Sequence, residues 1–289
     1  MPVSAPREGA EAPLGIICGG GAFPLAVAAS AVRDGRTVIL FPLKGYADGE
    51  AVARSGLKAQ WLDLGALGAA LAGLRRHDCR QVVMLGYVFR PRILSLRPDW
   101  TLLRVLPRFI AALRGGDDHL LSRIGAYFEE QGFDLVGAHQ IAPDLLLPAG
   151  TLGRVAMGPV DAEDARIGLA LVRALGPFDV GQGVVVALRH VQAVEAAEGT
   201  DMMLERCGAL RRAGRVRLPA RAGVLVKAPK PGQDRRVDLP SIGPQTVDNA
   251  AAAGLAGIAV EAGGVMAVEA EAMIRAADAR GLFIVGLGP

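Results

Sequence analysis

The chain has 289 residues, of which 51% are hydrophobic and only 4% are aromatic, and its formal net charge is +3. This length favours one large or two medium domains, and the many small aliphatic residues suit α/β layers. The basic excess is mild and comes from scattered arginines. It fits an anionic small molecule better than it demands nucleic acid, so we expect no nucleic-acid partner.

The sequence carries neither a secretion signal nor a membrane span. Residues 1–12 are polar and lack an apolar core, so we expect a frayed tail. No apolar run approaches the ~20 residues that cross a bilayer. Cys18, Cys79 and Cys207 are far apart and lack metal-binding spacing. We therefore expect a soluble, cytoplasmic protein with at most peripheral contact with the inner membrane.

The start of the chain has the pattern of a β-loop-α-β unit. An apolar run at 14–18, an Ala-rich helical pattern at 25–34 and a strand at 37–41 follow one another. The first strand runs into three glycines: Gly19, Gly20 and Gly21. Such a turn lets backbone N–H groups face a phosphate, and the alternative is a tight turn without a ligand. Pro24 replaces the third glycine of the dinucleotide fingerprint and no ribose-binding carboxylate follows, so NAD is disfavoured.

The next segment adds a strand and a basic, Leu-rich stretch. The strand 81–85 ends shortly before Arg90, where ligands of open α/β sheets bind. Residues 92–114 are rich in leucine and arginine, and we expect Pro98 and Pro107 to break them into short pieces. This stretch could lie on an anionic membrane or line an acyl-chain channel, or it could pack its leucines into the core.

The first domain closes with acidic residues and a further strand. Asp117 and Asp118 either favour the helix macrodipole or hold a hydrated divalent cation. His139 follows the strand at 133–137 and is expected on a loop. A linker rich in proline and glycine then suggests domains at 13–142 and 143–289. We interpret these as a Rossmann-like nucleotide-binding domain and a catalytic, lipid-binding α/β domain.

The second half begins with a predicted helix at 162–175, capped by Asp161, and continues with a predicted hairpin, 183–188 and 191–194. Thr200, beside Asp201, is expected to cap the helix that carries Met202 and Met203.

A proline-stiffened polar loop then follows the apolar run 223–226. Its polar residues are Lys227, Lys230, Gln233, Asp234, Arg235, Arg236 and Asp238. Proline fixes φ and removes a backbone donor, so the loop is rigid without joining a strand ladder. Cations and carboxylates on such a loop suit a polyanion and a metal ion, whereas the alternative is a solvated surface loop.

Several motifs together resemble the two-domain family of UDP-2,3-diacylglucosamine pyrophosphatases of lipid A biosynthesis. The resemblance extends from Leu14 to Gly286. Its motifs include the glycine turn, Leu96-Arg97-Pro98-Asp99-Trp100, Gly116-Asp117-Asp118, Gly137-Ala138-His139, Glu198-Gly199-Thr200-Asp201, Lys227-Ala228-Pro229-Lys230-Pro231-Gly232-Gln233-Asp234 and Asp238-Leu239-Pro240. The Lys-to-Asp loop is far more specific than the glycine turn.

The resemblance implies a Rossmann-like N-terminal domain and a second α/β domain with a mixed sheet, with the active site in the cleft between them. It implies cleavage of UDP-2,3-diacylglucosamine by water to UMP and 2,3-diacylglucosamine 1-phosphate, with attack at the sugar-side phosphorus. Mg²⁺ or another divalent cation such as Mn²⁺ would assist, and Asp234 would be the essential aspartate. The runner-up is a non-hydrolytic nucleotide-sugar or lipid-phosphate binding protein, and a homodimer stays open.

A pyrophosphate site needs cations, a metal ion and a positioned water more than a covalent nucleophile. We expect the catalytic residues to be Asp234, Lys227 and Asp238. Metal ligands would come from Asp234, Asp117 and Asp118. The expected substrate contacts are Gly19, Gly20, Gly21, Arg90, Thr200, Asp201, Lys230, Gln233, Arg235 and Arg236. Acyl chains would occupy an apolar groove near 96–113 or beside the helix of Met202 and Met203.

Overall fold

Apolar runs in the first unit of the chain, Met1–Ala142, form a parallel sheet. Its elements are β1 Leu14–Cys18, α1 Phe23–Arg33, β2 Val38–Pro42, α2 Gly49–Arg54, β3 Lys58–Ala59, α3 Leu67–Arg76, β4 Gln81–Leu85, α4 Trp100–Leu113, α5 Asp117–Glu130, β5 Asp134–Leu135 and α6 Ala138–Ile141. The strand order is β3-β2-β1-β4-β5, with parallel pairing throughout. Strand order therefore reverses beside β1, as in Rossmann-like sheets.

The computed structural model describes residues 12–88, 98–113, 117–178 and 180–288. Side chains between residues 108 and 120 lie outside this description.

The second unit, Pro143–Pro289, is built around a mixed sheet. Its elements are β6 Gly150–Leu152, α7 Pro159–Leu175, β7 Gly183–Ala187, β8 His190–Val194, α8 Gly199–Arg212, β9 Val224–Lys227, β10 Ser241–Ile242, α9 Pro244–Ala252, β11 Gly257–Glu261, β12 Met266–Ala267, α10 Ala270–Arg280 and β13 Phe283–Leu287. The order is β6-β13-β11-β9-β7-β8. β11 pairs in parallel with β9 and β13, whereas β7 runs antiparallel to both β8 and β9. The predicted fold class, a Rossmann-like sheet followed by an α/β unit with a mixed sheet, is confirmed.

The two faces of the mixed sheet bury different residues, because successive side chains of a strand point to opposite sides. Val224 and Val226 of β9 belong to the cluster that contains residues of α7. Leu225 lies in the other cluster with Val185 of β7 and with residues of α8, α9 and α10. By this alternation, Lys227 follows Leu225 onto the face covered by α8 and α9.

Two local predictions are wrong. Pro107 does not end a helix, since α4 runs through it from Trp100 to Leu113. Proline removes one N–H from the helix ladder, and packing of an amphipathic helix against its neighbours outweighs that loss. His139 lies in α6 and not on a loop. Within the described parts of the chain, no helix combines the length and the apolarity that a bilayer crossing requires.

The turn between β7 and β8 depends on a buried carboxylate from α7. Leu188 and Arg189 have positive φ angles of 50° and 66°, which direct their N–H groups to one side of the turn. Asp164, only 1% exposed, accepts both, at 2.9 Å from Leu188 and 2.6 Å from Arg189. The N–H groups of this turn thereby find their acceptor in a side chain of α7, which is distant in sequence.

We expect Asp164→Ala to lower the free energy of unfolding of the second unit by about 2 kcal/mol, because two turn amides lose their acceptor. Chemical denaturation of the full chain, with hydrogen exchange at Leu188 and Arg189, measures this. The control is Glu163→Ala, which removes an exposed carboxylate that pairs with Arg166 on the same helix. Equal stability of the two variants would contradict this role for Asp164.

Candidate active site

The predicted polar loop, residues 228–240, leaves the sheet at a central strand. β9 lies between β11 and β7, and all its residues are buried. The apolar residues Val224–Val226 are buried on both faces of the sheet. Lys227, the last residue of the strand, is charged. Pro229 and Pro231 follow within four residues, and neither can donate to a strand ladder. The loop therefore begins directly after Lys227, the first charged residue of this segment.

The strand register places Lys227 and Glu195 on either side of Gly183. Lys227 is opposite Gly183 in the antiparallel pairing of β9 with β7. On the other side, the N–H of Glu195 donates to the carbonyl of Gly183 at 2.8 Å. Opposed residues of neighbouring strands share a face. Lys227 and Glu195 therefore flank the position where Gly183 has no side chain.

Lys227 is 7% exposed and has two oxygen partners. Its Nζ donates to Thr200 Oγ1 at 2.9 Å and to the carbonyl of Ser241 at 3.2 Å. Thr200 Oγ1 in turn donates to Glu195 Oε1 at 3.0 Å. A buried ammonium without such partners would strongly destabilise the fold, so these contacts fix the side chain.

The prediction that Thr200 caps a helix is wrong. α8 begins at Gly199, its N-cap is Glu198, and no side chain accepts a hydrogen bond there. Thr200 lies within the first turn, and its hydroxyl bonds Glu195 and Lys227 instead. A threonine near a helix start is a good capping signal, but sequence alone does not reveal a competing partner from another strand.

Asp234 is held by an arginine two residues further on. Arg236 Nε lies 3.0 Å from Asp234 Oδ1, and an Nη lies 2.8 Å from Oδ2. The Arg236 backbone N–H also donates to Oδ1 at 3.0 Å. This two-pronged contact fixes the plane of the carboxylate. The Asp234 side chain nevertheless stays 26% exposed, so solvent reaches it.

One carboxylate oxygen of Asp238 accepts two hydrogen bonds that hold the rest of the loop. Its Oδ2 accepts from Gln182 Nε2 at 2.7 Å and also from Gln233 Nε2. Gln233 Oε1 accepts the N–H of Lys230 at 3.0 Å, and the Lys230 residue is 9% exposed. The loop is therefore cross-linked internally and tied to the residue just before β7.

The other predicted contacts of this unit are more dispersed. Arg235 is exposed and donates to the carbonyl of Gly263. Asp201 Oδ1 accepts from Asn249 Nδ2 of α9 at 2.8 Å. Of the two methionines proposed for an acyl-chain groove, Met202 is 60% exposed, whereas Met203 is fully buried in the core. Of these two side chains only Met202 is exposed on α8, and the acyl-chain groove itself stays a prediction.

The glycine turn of the first unit packs closely against the end of β4. Gly19 donates its N–H to Leu85 at 2.7 Å, and Gly20 donates to Tyr87 at 2.8 Å. A Cβ at Gly20 would lie 2.4 Å from the Tyr87 ring, so the close approach requires glycine. The N–H groups of Gly19 and Gly20 therefore donate to backbone carbonyls and do not face a phosphate. Substrate contact of Gly19, Gly20 and Gly21 stays a prediction.

Arg90 and the side chains of Asp117 and Asp118 lie outside the described residues. Within the described chain, no group of three or more His, Cys, Asp or Glu side chains could hold a metal ion. Likewise, the predicted placement of the active site in a cleft between the domains stays a prediction.

The cysteines are unsuited to nucleophilic catalysis. Burial raises the pKa of Cys18 to about 12 and, with a smaller contribution from Asp78, that of Cys79 to about 11. Burial also raises the pKa of Cys207, although Arg206 and Arg211 oppose it. The thiolate is the reactive form, so all three stay protonated near neutral pH.

Sequence analysis missed Gln182 and Glu195. The signal for Glu195 was the alternation of β8, because Ala193, two residues earlier, faces the core. A carboxylate that continues the core-facing row of a strand needs a buried partner. Gln182 gives no comparable signal.

Fold and site together define a two-domain α/β protein with a lysine- and aspartate-bearing loop at a strand end of its second domain. Two family models match it: the LpxI N-terminal domain over residues 13–145 and the LpxI C-terminal domain over residues 148–285. The chain is also 44% identical over 276 residues to a Caulobacter vibrioides protein named UDP-2,3-diacylglucosamine pyrophosphatase LpxI. That match covers 96% of this chain and 98% of the relative. The chain therefore belongs to the LpxI family, which confirms the resemblance inferred from its motifs.

Proposed function

We propose that this protein hydrolyses the pyrophosphate bond of UDP-2,3-diacylglucosamine, giving UMP and 2,3-diacylglucosamine 1-phosphate for lipid A biosynthesis. The observation that carries this is the 44% identity, over almost the full length of both chains, to a relative of that name. The geometry of loop 228–240 supports the same reaction. Its lipid-linked nucleotide-sugar substrate gives a reason for peripheral membrane contact, which stays a prediction, as does a homodimer.

The cations of the site suit the charge of the substrate. A pyrophosphate diester carries two negative charges, and charge builds up on the leaving phosphate as its bond breaks. The Lys227 ammonium is held by the Thr200 hydroxyl, so little reorganisation of that group is needed when the phosphates bind. Lys230, whose backbone N–H donates to Gln233, adds a second positive charge. Arg235, on the exposed side of the loop, and Arg236 supply further positive charge.

Asp234 is the residue we propose to orient the attacking water. The water oxygen forms a bond to the sugar-side phosphorus while the bond from that phosphorus to the bridging oxygen breaks, and UMP leaves with the bridging oxygen. The water proton passes to Asp234 Oδ. The contact with Arg236 supports this role, because a fixed carboxylate plane aims its lone pairs.

The carboxylates of the loop fit a divalent cation that also binds substrate. Mg²⁺ is usually held by one or two carboxylates together with substrate phosphates, and not by an all-protein cage. Asp234 would hold it, and Asp238 could share that task, although Asp238 Oδ2 already accepts two amide donors. When bound, Mg²⁺ or Mn²⁺ would neutralise phosphate charge.

A non-hydrolytic nucleotide-sugar or lipid-phosphate binding protein is the second candidate. The observation in its favour is that Asp234 already has an arginine partner inside the loop, as a structural carboxylate would. The two candidate functions differ in whether loss of the Asp234 charge lowers UMP release.

For Asp234→Asn, we expect UMP release to fall by about 10²- to 10⁴-fold, the range of a lost general base, while substrate binding persists. Radiolabelled substrate measures turnover, and equilibrium binding is measured in parallel. The matched control is Glu163→Gln, since Glu163 makes the same two-pronged contact with Arg166 on the exposed side of α7. Unchanged turnover of the Asp234 variant would contradict the assignment, and a wild-type protein that binds but releases no UMP would favour the second candidate.

Removal of divalent cations should stop the reaction, because two phosphates then face the site without a bridging charge. We expect EDTA to abolish UMP release by the wild-type protein and added Mg²⁺ or Mn²⁺ to restore it. Full turnover after exhaustive chelation would refute the metal requirement.

Hydrolysis in ¹⁸O-water tests which phosphorus is attacked. We expect the label on 2,3-diacylglucosamine 1-phosphate, because the water oxygen stays on the phosphorus that it attacks. Mass spectrometry of both products measures this, and label on UMP would mean attack at the uridine side.

A further inference from the structure

Glu195 is a carboxylate at the candidate site to which the reaction outlined above gives no role. It lies one residue beyond β8, and its Oε1 accepts the hydroxyl of Thr200 at 3.0 Å. Its Oε2 is buried and has no hydrogen-bond partner among the described residues. A carboxylate oxygen kept from solvent destabilises the fold unless a nearby cation compensates it. The ammonium of Lys227, reached through Thr200, is such a cation.

The Glu195 carboxylate lies directly against Gly183. A Cβ at Gly183 would lie 2.5 Å from Glu195 Oε2, closer than any ordinary contact. The φ angle of Gly183 is not among the positive values that favour glycine, so backbone conformation does not explain this residue. The Glu195 carboxylate occupies the space that a side chain at residue 183 would take.

The hydrogen bonds between these residues have a direction. An ammonium group only donates, so Thr200 Oγ1 accepts from Lys227. The single hydroxyl hydrogen of Thr200 goes to Glu195. Without that acceptor the hydroxyl hydrogen is free to turn about the C–O bond, and the oxygen lone pairs are no longer held toward Lys227. Glu195 thus sets the orientation of Thr200, and Thr200 sets the position of Nζ.

We infer that Glu195 is a positioning residue for the Lys227 ammonium, acting through the Thr200 hydroxyl. The inference rests on the proposed function for its effect on pyrophosphate cleavage. Its structural part, the placement of Lys227, can be measured without any reaction.

The first test is a double-mutant comparison of UMP release. We expect Glu195→Leu, which removes the acceptor of the Thr200 hydroxyl, and Thr200→Val each to lower kcat by about tenfold to a hundredfold, the range of a lost hydrogen bond to a charged group. Thr200→Ser keeps the hydroxyl and should retain most of the rate. The double variant should be no slower than Thr200→Val, since Glu195 acts only through that hydroxyl. Multiplied effects, or a Glu195→Leu variant with wild-type kcat, would overturn the inference.

The second test is amine labelling of the full-length protein without substrate. Lys227 should react slowly with an acylating reagent in the wild type and several-fold faster in Glu195→Leu and Thr200→Val, as read by peptide mass spectrometry. Glu205→Leu, at an exposed carboxylate on α8, is the control and should leave labelling unchanged. Equal labelling of Lys227 in wild type and Glu195→Leu would also overturn the inference. If the wild type released no UMP, the proposed function would fail, while labelling would still decide how Lys227 is held.

Discussion

The constraint on which the second unit depends is the burial of a lysine ammonium at the end of a central strand. Removing such a charge from water is unfavourable by several kcal/mol unless oxygens replace the solvent. Thr200 and the Ser241 carbonyl supply them. That requirement brings the first turn of α8 and the start of β10 to the end of β9. It thereby fixes both ends of loop 228–240.

Between those ends, the loop is shaped by contacts among its own residues. Arg236 orients Asp234, and the amides of Gln182 and Gln233 converge on Asp238. A solvated surface loop would leave these groups to water, whereas here they are fixed before any ligand binds. Preorganisation of this kind lets a site stabilise developing charge without rearranging.

Much of the architecture could be predicted from local pattern, and the site could be predicted only in part. Apolar runs such as 81–85 give the strands, and the motif from Lys227 to Asp234 gives the family. The role of Thr200 was mistaken because its partners lie 5 and 27 residues away on other elements. The proximity of Gly183 to Glu195 is not visible in the sequence, since the two residues lie on neighbouring strands. Strand register pairs residues from different segments, so no single segment of the sequence predicts these pairings.

Cleavage of pyrophosphate at loop 228–240 is tested most directly by a crystal structure of the Asp234→Asn variant with UDP-2,3-diacylglucosamine and Mg²⁺. We predict that the sugar-side phosphate lies within hydrogen-bonding distance of Lys227 and beside residue 234. A pyrophosphate bound elsewhere, with Lys227 still bonded only to Thr200 and Ser241, would contradict it.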